Sequence, residues 1–242
     1  MNENAFWQFD ENRAKSGYES AWLVKLPDRE KYSLVGLTTQ VPYPFGDNET
    51  FDVNILQGDG IGKIKGKFSM EPVDVPVYHH RDNAYRFNEI IGDQVCDFLS
   101  INSELTGYAF AGTLEYKPDT AEANENMATV TITPISGSKR PIYDARELVE
   151  ENVCLKNSIP ATIKVGDSID FVAKQTDIVT QSFKVEKIAP TTNLKSDMTA
   201  STDYTVDGTK ITFNTTGLMV ITVSADGYAP WITTVYVKSA TT

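Results

Sequence analysis

Short segments in which apolar and polar residues alternate run through most of the chain, separated by Gly, Pro and Asp residues. A period of two residues turns one side of a strand toward a core and the other toward water, so it predicts half-buried β-strands. In the first half the pattern is clear at residues 63–70, 108–116 and 129–134. Pro134 ends the third segment, because proline has no N–H for a strand ladder. We therefore expect a mainly β protein.

The second half has the most regular alternation. Gly166 and Gly227 mark turns, and Asp207-Gly208 joins two alternating segments in the manner of a two-residue hairpin. Short strands with turns at this spacing predict a β-sandwich. No pair of cysteines lies within this part, so an antibody-type disulfide between its sheets is excluded.

One helix is predicted at about residues 82–91. Asp82 is a suitable N-cap residue, and Ala84, Phe87 and Ile91 fall on one face at helical spacing. Gly92 follows the last of them and is expected to end the helix, since glycine readily adopts a left-handed conformation there.

A boundary between two domains is expected in residues 136–160. Residues 136–141 are rich in Ser, Gly and Pro, which predicts a turn or linker. Capping-box spacing at 144–147, followed by Leu148 and Val149, predicts a short helix near 144–152. We assign the domains to residues 1–153 and 154–242.

Residues 40–62 form a polar stretch rich in Gly and Pro, which predicts a long loop. Loops of this length in compact domains are usually functional or disordered. Phe51, Val53 and Ile55 alternate with polar residues inside it, so an extended hairpin is the alternative.

The net charge is concentrated in the first part of the chain. Residues 1–150 contain 14 Lys and Arg against 24 Asp and Glu, a net of −10, whereas residues 151–242 contain 8 against 9, a net of −1. A protein that grips nucleic-acid phosphates needs the opposite balance. The acidic part serves either solubility or a surface that must repel a polyanion.

Composition excludes several classes of protein. Hydrophobic residues make up 40% of the 242 residues, with 11 Phe, 11 Tyr and 3 Trp, which is enough for a core and argues against overall disorder. Two cysteines, Cys96 and Cys154, do not define a disulfide framework. No apolar run reaches the length of a membrane span, so membrane insertion is not expected. The first residues lack the basic and apolar regions of a secretory signal.

No constellation of residues indicates catalysis. Adjacent His79 and His80 point to opposite sides of an extended chain and have no ligand partners at metal-site spacing. Residues 58–63 are Gly-rich and end in Lys63, but Ile64 stands where a phosphate-binding loop needs Ser or Thr. Neither cysteine has an evident histidine relay. We expect no enzyme activity and no catalytic, metal-binding or cofactor-binding residue.

Roughly residues 15–140 resemble the major tail tube proteins of long-tailed bacteriophages. The likeness is a succession of strand, helix and two further strands with turn residues between them. The segments that carry it are 73–83, the helix with Gly92, 97–100, 106–108, 112–119 and 128–134.

About residues 157–238 resemble bacterial immunoglobulin-like modules. Tube proteins that carry such a module at the C-terminus are a known arrangement. The segments that carry the likeness are 165–168, 205–208, 211–214, 220–225 and 227–228.

The first resemblance implies a tail-tube β-sandwich or barrel with one flanking helix. Six copies would form a ring, and the rings would stack into a tube that conducts DNA without binding it specifically. An initiator, a terminator and a tape-measure protein would be the other tail partners, with assembly in the host cytoplasm and a final location in the virion tail. The N-terminal arm and the 40–62 stretch would contact neighbouring subunits. The candidate contact residues are Phe6, Trp7, Phe9, Tyr43, Phe45 and Phe51.

The second resemblance implies an Ig-like β-sandwich on the outside of the tube. Such a module could bind host-surface glycans weakly and many times over, so that repetition along the tube supplies avidity. Tyr228, Trp231 and Tyr236 are candidate stacking residues for sugars, although an aromatic on an alternating strand, such as Trp231, is more often part of a core.

Other functions stay open. A bacterial surface or appendage protein of the adhesin type would use the Ig-like module for binding. A phage baseplate or head-decoration protein would use similar modules. An enzyme fused to an Ig-like module would need an acid/base pair, and the first domain has none that is recognisable.

Overall fold

A computed structural model describes residues 21–34, 45–54, 61–101, 105–118 and 127–240, and within 45–54 and 61–69 it describes the backbone alone. The chain divides into two compact units between Val149 and Glu150. The division expected from the sequence lies slightly later, after residue 153, whereas Val153 packs in the core of the second unit.

The first unit is built on an antiparallel β-sheet. Six of its strands pair in the order β1-β5-β6-β7-β4, and β8 lies beside the start of β6. The segments predicted at 63–70, 108–116 and 129–134 lie in β3, β6 and β7. The strands are β1 Ala21–Lys25, β2 Phe45–Asn54, β3 Ile61–Met70, β4 Val73–Tyr78, β5 Cys96–Ile101, β6 Gly107–Pro118, β7 Met127–Pro134 and β8 Arg140–Ile142.

Alternation determines which side of this sheet is buried. Along β7, the side chains of Ala128, Val130 and Ile132 are fully buried, and the threonines between them lie on the opposite face. The buried face continues across the neighbouring strands as one apolar cluster. Its strand members are Trp22, Val24, Val75, Val77, Cys96, Phe98, Phe110, Leu114, Tyr116, Ala128, Val130 and Ile132.

A single helical segment covers the apolar face, where the sequence predicts a helix. It begins as α1 (Arg81–Tyr85) and continues as a π-helix (Arg86–Ile91). Phe87 and Ile91 are buried, as their spacing predicts, and Gly92 ends the segment at φ 52°. Asp82 is not the cap: the N-cap is His80, whose Nδ1 accepts a hydrogen bond from the Asn83 backbone N–H at 3.3 Å.

Much of the polar stretch at 40–62 is β structure. Strands β2 and β3 pair as an antiparallel hairpin, with Phe51 opposite Ile64 and Val53 opposite Gly62. The pairing is irregular between Phe45 and Thr50, where the register shifts. This arrangement is the extended hairpin considered above. Residues 40–44 and 55–60 lie outside the described part of the chain.

The short helix predicted near 144–152 is wrong. The chain makes one turn there, in which Leu148 N–H donates to the Ala145 carbonyl, and Asp144 accepts a hydrogen bond from Arg146 N–H. Val149 then pairs with Tyr32 in an isolated parallel bridge. That extended pairing stops the helix, because a capping pattern can start a helix but cannot sustain one against tertiary contacts.

The second unit is a β-sandwich. A three-stranded sheet, β10-β14-β13, faces a five-stranded sheet, β12-β11-β15-β16-β9, in which only β16 and β9 run parallel. Phe213 from the first sheet and Val185, Ile221 and Val235 from the second share one core, which confirms the predicted sandwich. The strands are β9 Thr162–Lys164, β10 Ser168–Asp170, β11 Ser182–Ile188, β12 Lys195–Asp197, β13 Tyr204–Asp207, β14 Lys210–Phe213, β15 Gly217–Ser224 and β16 Trp231–Lys238.

The hairpin between β13 and β14 differs from its prediction by one residue. Asp207 pairs with Lys210, so the two loop residues are Gly208 and Thr209 rather than Asp207 and Gly208. Gly208 has φ 60°, a conformation that glycine adopts without steric cost. Gly166 and Gly227, at φ 90° and 81°, occupy turns as predicted.

Candidate functional site

The face of the six-stranded sheet opposite the helix is polar on β7, on the second half of β6 and at Asp74 of β4, whereas apolar side chains are buried on the same side of β1, β5 and the start of β6. Glu115, Thr131 and Asp74 lie side by side on these three neighbouring strands. Thr131 Oγ1 donates a hydrogen bond to Asp74 Oδ1 at 2.7 Å, which ties β7 to β4 on this side. We call the surface formed by residues 74, 113, 115, 117, 129, 131 and 133 the polar face.

The polar face carries little net charge. Lys117 Nζ lies 2.9 Å from Glu115 Oε2 along the same strand, and both side chains are exposed. With Asp74 the face holds two carboxylates and one ammonium group, and its other side chains are threonines. The result is a hydrated, weakly acidic surface with no concentration of cations.

The opposite face is a rigid aromatic layer. The ring of Phe87 on the helix lies between Trp22 and Tyr116, with ring centroids 6.1 and 5.8 Å away. Trp22 also stacks on Phe98 at 5.7 Å, and Phe98 stacks on Phe110 at 5.5 Å. Close packing of this kind holds the helix against the sheet.

An ion cluster lies beside the polar face, where β1 ends and β5 and β8 begin. Arg140 Nη2 donates to Asp97 Oδ1 at 2.6 Å and Oδ2 at 2.7 Å, and Lys25 Nζ lies 3.4 Å from Asp97 Oδ2. The same Arg140 nitrogen donates to the Tyr32 hydroxyl at 3.3 Å. Burial, and then the Asp97 charge, raises the pKa of Tyr32 to about 12, so its phenol is neutral at physiological pH.

Sequence reasoning missed this cluster. Asp97 and Arg140 are separated by 43 residues, and neither stands in a recognisable motif. Only the pairing of β6 with both β5 and β8 brings them together.

The candidate subunit contacts of the first unit are mostly outside the described residues. Phe6, Trp7, Phe9 and Tyr43 all fall in that category. Phe45 and Phe51 lie on β2, with Phe45 opposite Met70. The structure describes only their backbone, so their role as contacts stays a prediction.

The three candidate glycan contacts do not share one surface. Tyr228 and Trp231 both pack against the core of the sandwich, and the Tyr228 hydroxyl donates to Asp177 Oδ2 at 2.7 Å. Tyr236 lies on the other face of β16 and is 42% exposed. Of the three, Tyr236 has the accessible ring that stacking on a sugar needs.

Both histidines have structural contacts. His79 Nδ1 lies 2.6 Å from the Tyr116 hydroxyl, and His80 caps α1. Across the described ranges, no group of three or more His, Cys, Asp or Glu side chains is arranged to hold a metal ion. No helix within those ranges has the length and apolar character needed to cross a membrane.

The two cysteines are free thiols in an unreactive state. Burial raises the pKa of Cys96 to about 11, and burial likewise raises the pKa of Cys154. The thiolate is the nucleophilic form of cysteine, so both side chains are poor nucleophiles at neutral pH.

Comparisons with known proteins give distant structural similarity alone. No protein-family model matches the sequence, and no curated protein matches it. The tandem Ig repeats of Dlar are similar at 11% identity with a TM-score of 0.25, over 61% of this chain and 89% of theirs. A structure that explains Dscam isoform specificity is similar at 11% identity with a TM-score of 0.29, over 81% of this chain and 77% of that one. The assignment of an Ig-like β-sandwich rests on the sheets of the second unit.

Proposed function

We propose that the chain is a structural virion protein, the subunit of a bacteriophage tail tube, and that it acts without enzyme activity. Six copies form a ring, and the rings stack around a lumen that conducts DNA to the host. Two features support the proposal: the resemblance of residues 15–140 to major tail tube proteins, and a sheet that is apolar beneath the helix and carries the polar face on its other side. The observation that carries it is the polar face, with Glu115, Thr131 and Asp74 in one row.

The chemistry of this face suits a channel for DNA. Threonine hydroxyls hold water, and the two carboxylates exceed the single ammonium group by one negative charge. Phosphates passing the polar face are repelled, and the cations of the neighbouring ion cluster, Lys25 and Arg140, contact Asp97 rather than the residues of this face. The net charge of −10 on residues 1–150 adds a long-range repulsion of the same sign.

In this proposal the Ig-like unit lies outside the tube and contacts host-surface glycans. Tyr236 is the best placed of the candidate residues, because its ring is accessible on a sheet face. A single stacking contact is weak, and repetition along the tube would convert it into avidity. The partners are other copies of the chain and the initiator, terminator and tape-measure proteins, with assembly in the host cytoplasm and a final place in the virion tail.

Negative-stain electron microscopy of two proteins tests this division of roles. Full-length protein is expected to form hollow tubes with peripheral knobs, and a truncation after residue 155 is expected to form the same tubes without knobs. Circular dichroism checks that the truncated chain is folded. Loss of tubes in a folded truncation would contradict the assignment of assembly to the first unit.

An adhesin-type surface protein is the alternative function that the Ig-like β-sandwich itself favours. Binding to a glycan array by protein that never polymerises would support the adhesin-type function. The same result would also support a baseplate or head-decoration protein. A screen for glycan hydrolysis by residues 1–150 separates a fused enzyme from all of these, and activity there would overturn the non-enzymatic proposal.

A further inference from the structure

A cleft of about 510 Å³ opens beside the polar face, at the ends of β1, β5 and β8. Three cationic side chains line it, Lys25, Arg29 and Arg140, together with the carboxylate of Asp97. Leu26 and the exposed Val95 supply apolar wall. This basic cleft is unusual in a part of the chain whose net charge is −10.

The charges of the basic cleft are not balanced from within. Arg140 and Lys25 both contact Asp97, which can neutralise one of them. Arg29 is exposed and has no ion-pair partner in the part of the chain that the structure describes. The side chain of Arg140 is itself 54% exposed. Of the three positive charges that line the cleft, two are therefore left to bind an anionic group that enters from solvent.

The position of the basic cleft in the sheet indicates where that anion comes from. Among the described residues β1 and β4 are the outermost strands, and Arg29 lies in the turn that leaves β1. Lys25 on β1 pairs with Asp97 on β5. The neighbouring residue of β5, Cys96, is opposite Gly112 on β6. Gly112 is in turn opposite Pro134 on β7. The cleft is thus at the level of Pro134.

An exposed carboxylate lies toward this end of the sheet, on the side of β4. Val73, the first residue of β4, is opposite Ile132 on β7. The pairing of β4 with β7 ends there, and Glu71 lies two residues earlier, toward the end of the sheet at which Pro134 lies. Glu71 is exposed and is separated from the start of β4 by Pro72 alone. The sheet therefore has excess positive charge beside β1 and a carboxylate beside β4, toward the same end of the sheet.

We propose that the basic cleft receives Glu71 of a second copy of this chain. The contact joins unlike surfaces, β1 side to β4 side, so its repetition continues from copy to copy and generates a ring where the rotation closes, rather than a closed pair. The proposal rests on the proposed function, because it names the contact between neighbouring subunits of the ring. It also explains how an acidic subunit can associate with itself: the cations are concentrated where the next subunit presents a carboxylate.

A charge-swap experiment on full-length protein tests this contact. Arg29→Glu and Glu71→Arg are each expected to raise the protein concentration needed for polymers about tenfold or more, because each places like charges together. The double variant restores an opposite pair in every interface and is expected to return the threshold to within about threefold of the wild type. Asp226→Arg is the matched control. It changes the charge by the same amount at an exposed position of the second unit, and it is expected to leave assembly unchanged.

The outcomes separate this proposal from the function on which it rests. The contact would be overturned, and the tube function would stand, if the wild type formed tubes and the single variants assembled at the same concentration. The same would follow if the single variants assembled poorly and the double variant did not restore assembly. Wild-type protein that never polymerises would contradict the tube function itself. If inorganic phosphate stabilises wild-type protein but not Arg29→Glu, and assembly is the same in both, the cleft binds a free anion and the proposal is overturned.

Discussion

The guanidinium of Arg140 holds both carboxylate oxygens of Asp97 from a single nitrogen, at 2.6 and 2.7 Å, and so ties β8 to β5 across the intervening strand β6. The carboxylate is 17% exposed, and Lys25 approaches it from β1. Three strands of the first unit are thereby joined by one acidic side chain, which keeps the cations of the basic cleft in place.

Replacing Asp97 should destabilise the first unit. In Asp97→Asn the side chains of Lys25 and Arg140 lose their shared anion and repel one another. We expect a loss of about 1–2 kcal/mol in the free energy of unfolding, a modest value because Arg140 is half exposed. Urea denaturation measures it. Glu115→Gln, which breaks the exposed pair with Lys117, is the matched control and should change stability by less than about 0.5 kcal/mol. Equal effects in the two variants would contradict the special role of Asp97.

The aromatic layer should depend on the helix ring at its centre. Phe87 is 1% exposed and lies between Trp22 and Tyr116. Phe87→Ala leaves a cavity that rigid neighbouring rings cannot fill, so we expect a loss of about 3–5 kcal/mol. Near-ultraviolet circular dichroism during denaturation measures the loss of this aromatic packing, and so the unfolding of the first unit. Val95→Ala, at an exposed position, should cost less than about 0.5 kcal/mol, and a similar loss in both variants would contradict the packing described here.

A methyl group at Gly107 should disrupt the pairing of β5 with β6. A Cβ placed there would be only 1.9 Å from the Ser100 carbonyl oxygen, which is backbone and cannot turn away. We expect Gly107→Ala to yield little folded protein in thermal unfolding scans. Gly137→Asn is the control, because Gly137 has φ 81° with open space around it and asparagine tolerates that conformation. Normal stability of Gly107→Ala would show that the two strands do not approach this closely.

Two tyrosines should ionise late in an alkaline titration. Burial, and then the hydrogen bond to Asp177, raises the pKa of Tyr228 to about 12, and Tyr32 also reaches about 12. The folded values lie above the ordinary tyrosine pKa of 10.0, so each phenol contributes stability that is complete below pH 10 and is lost as pH rises toward 12.

Tyrosinate absorbance measures this ionisation. Asp177→Asn should lower the pKa of Tyr228 and bring part of the late transition to lower pH, whereas Tyr228→Phe should remove that part. A titration in which Asp177→Asn matches the wild type would contradict the role assigned to the carboxylate.

Local pattern predicted much of the fold. Alternation identifies β6, β7 and the strands of the sandwich because one face of each strand is buried. The spacing of Ala84, Phe87 and Ile91 identifies the helix. It could not reveal the π-helical second half, since Phe87 and Ile91 are four residues apart and remain on one side in either geometry.

The remaining features depend on contacts between distant residues. Val149 is extended because it pairs with Tyr32, and nothing near Val149 in the sequence indicates this. The ion cluster around Asp97 and the location of the basic cleft likewise follow from strand order. By contrast, the alternation of Trp231, Val235 and Val237 already indicates the face of β16 that meets the core, and Tyr236 lies on the other face.

Helical reconstruction of assembled full-length protein by cryo-electron microscopy tests the central claim most directly. The account predicts a hollow tube of six-fold rings in which Glu115, Thr131 and Asp74 line the lumen and the helix Arg81–Ile91 lies on the outer side of the sheet. A tube with the helix toward the lumen, or a lumen lined by lysines and arginines, would contradict the assignment of the polar face to DNA passage.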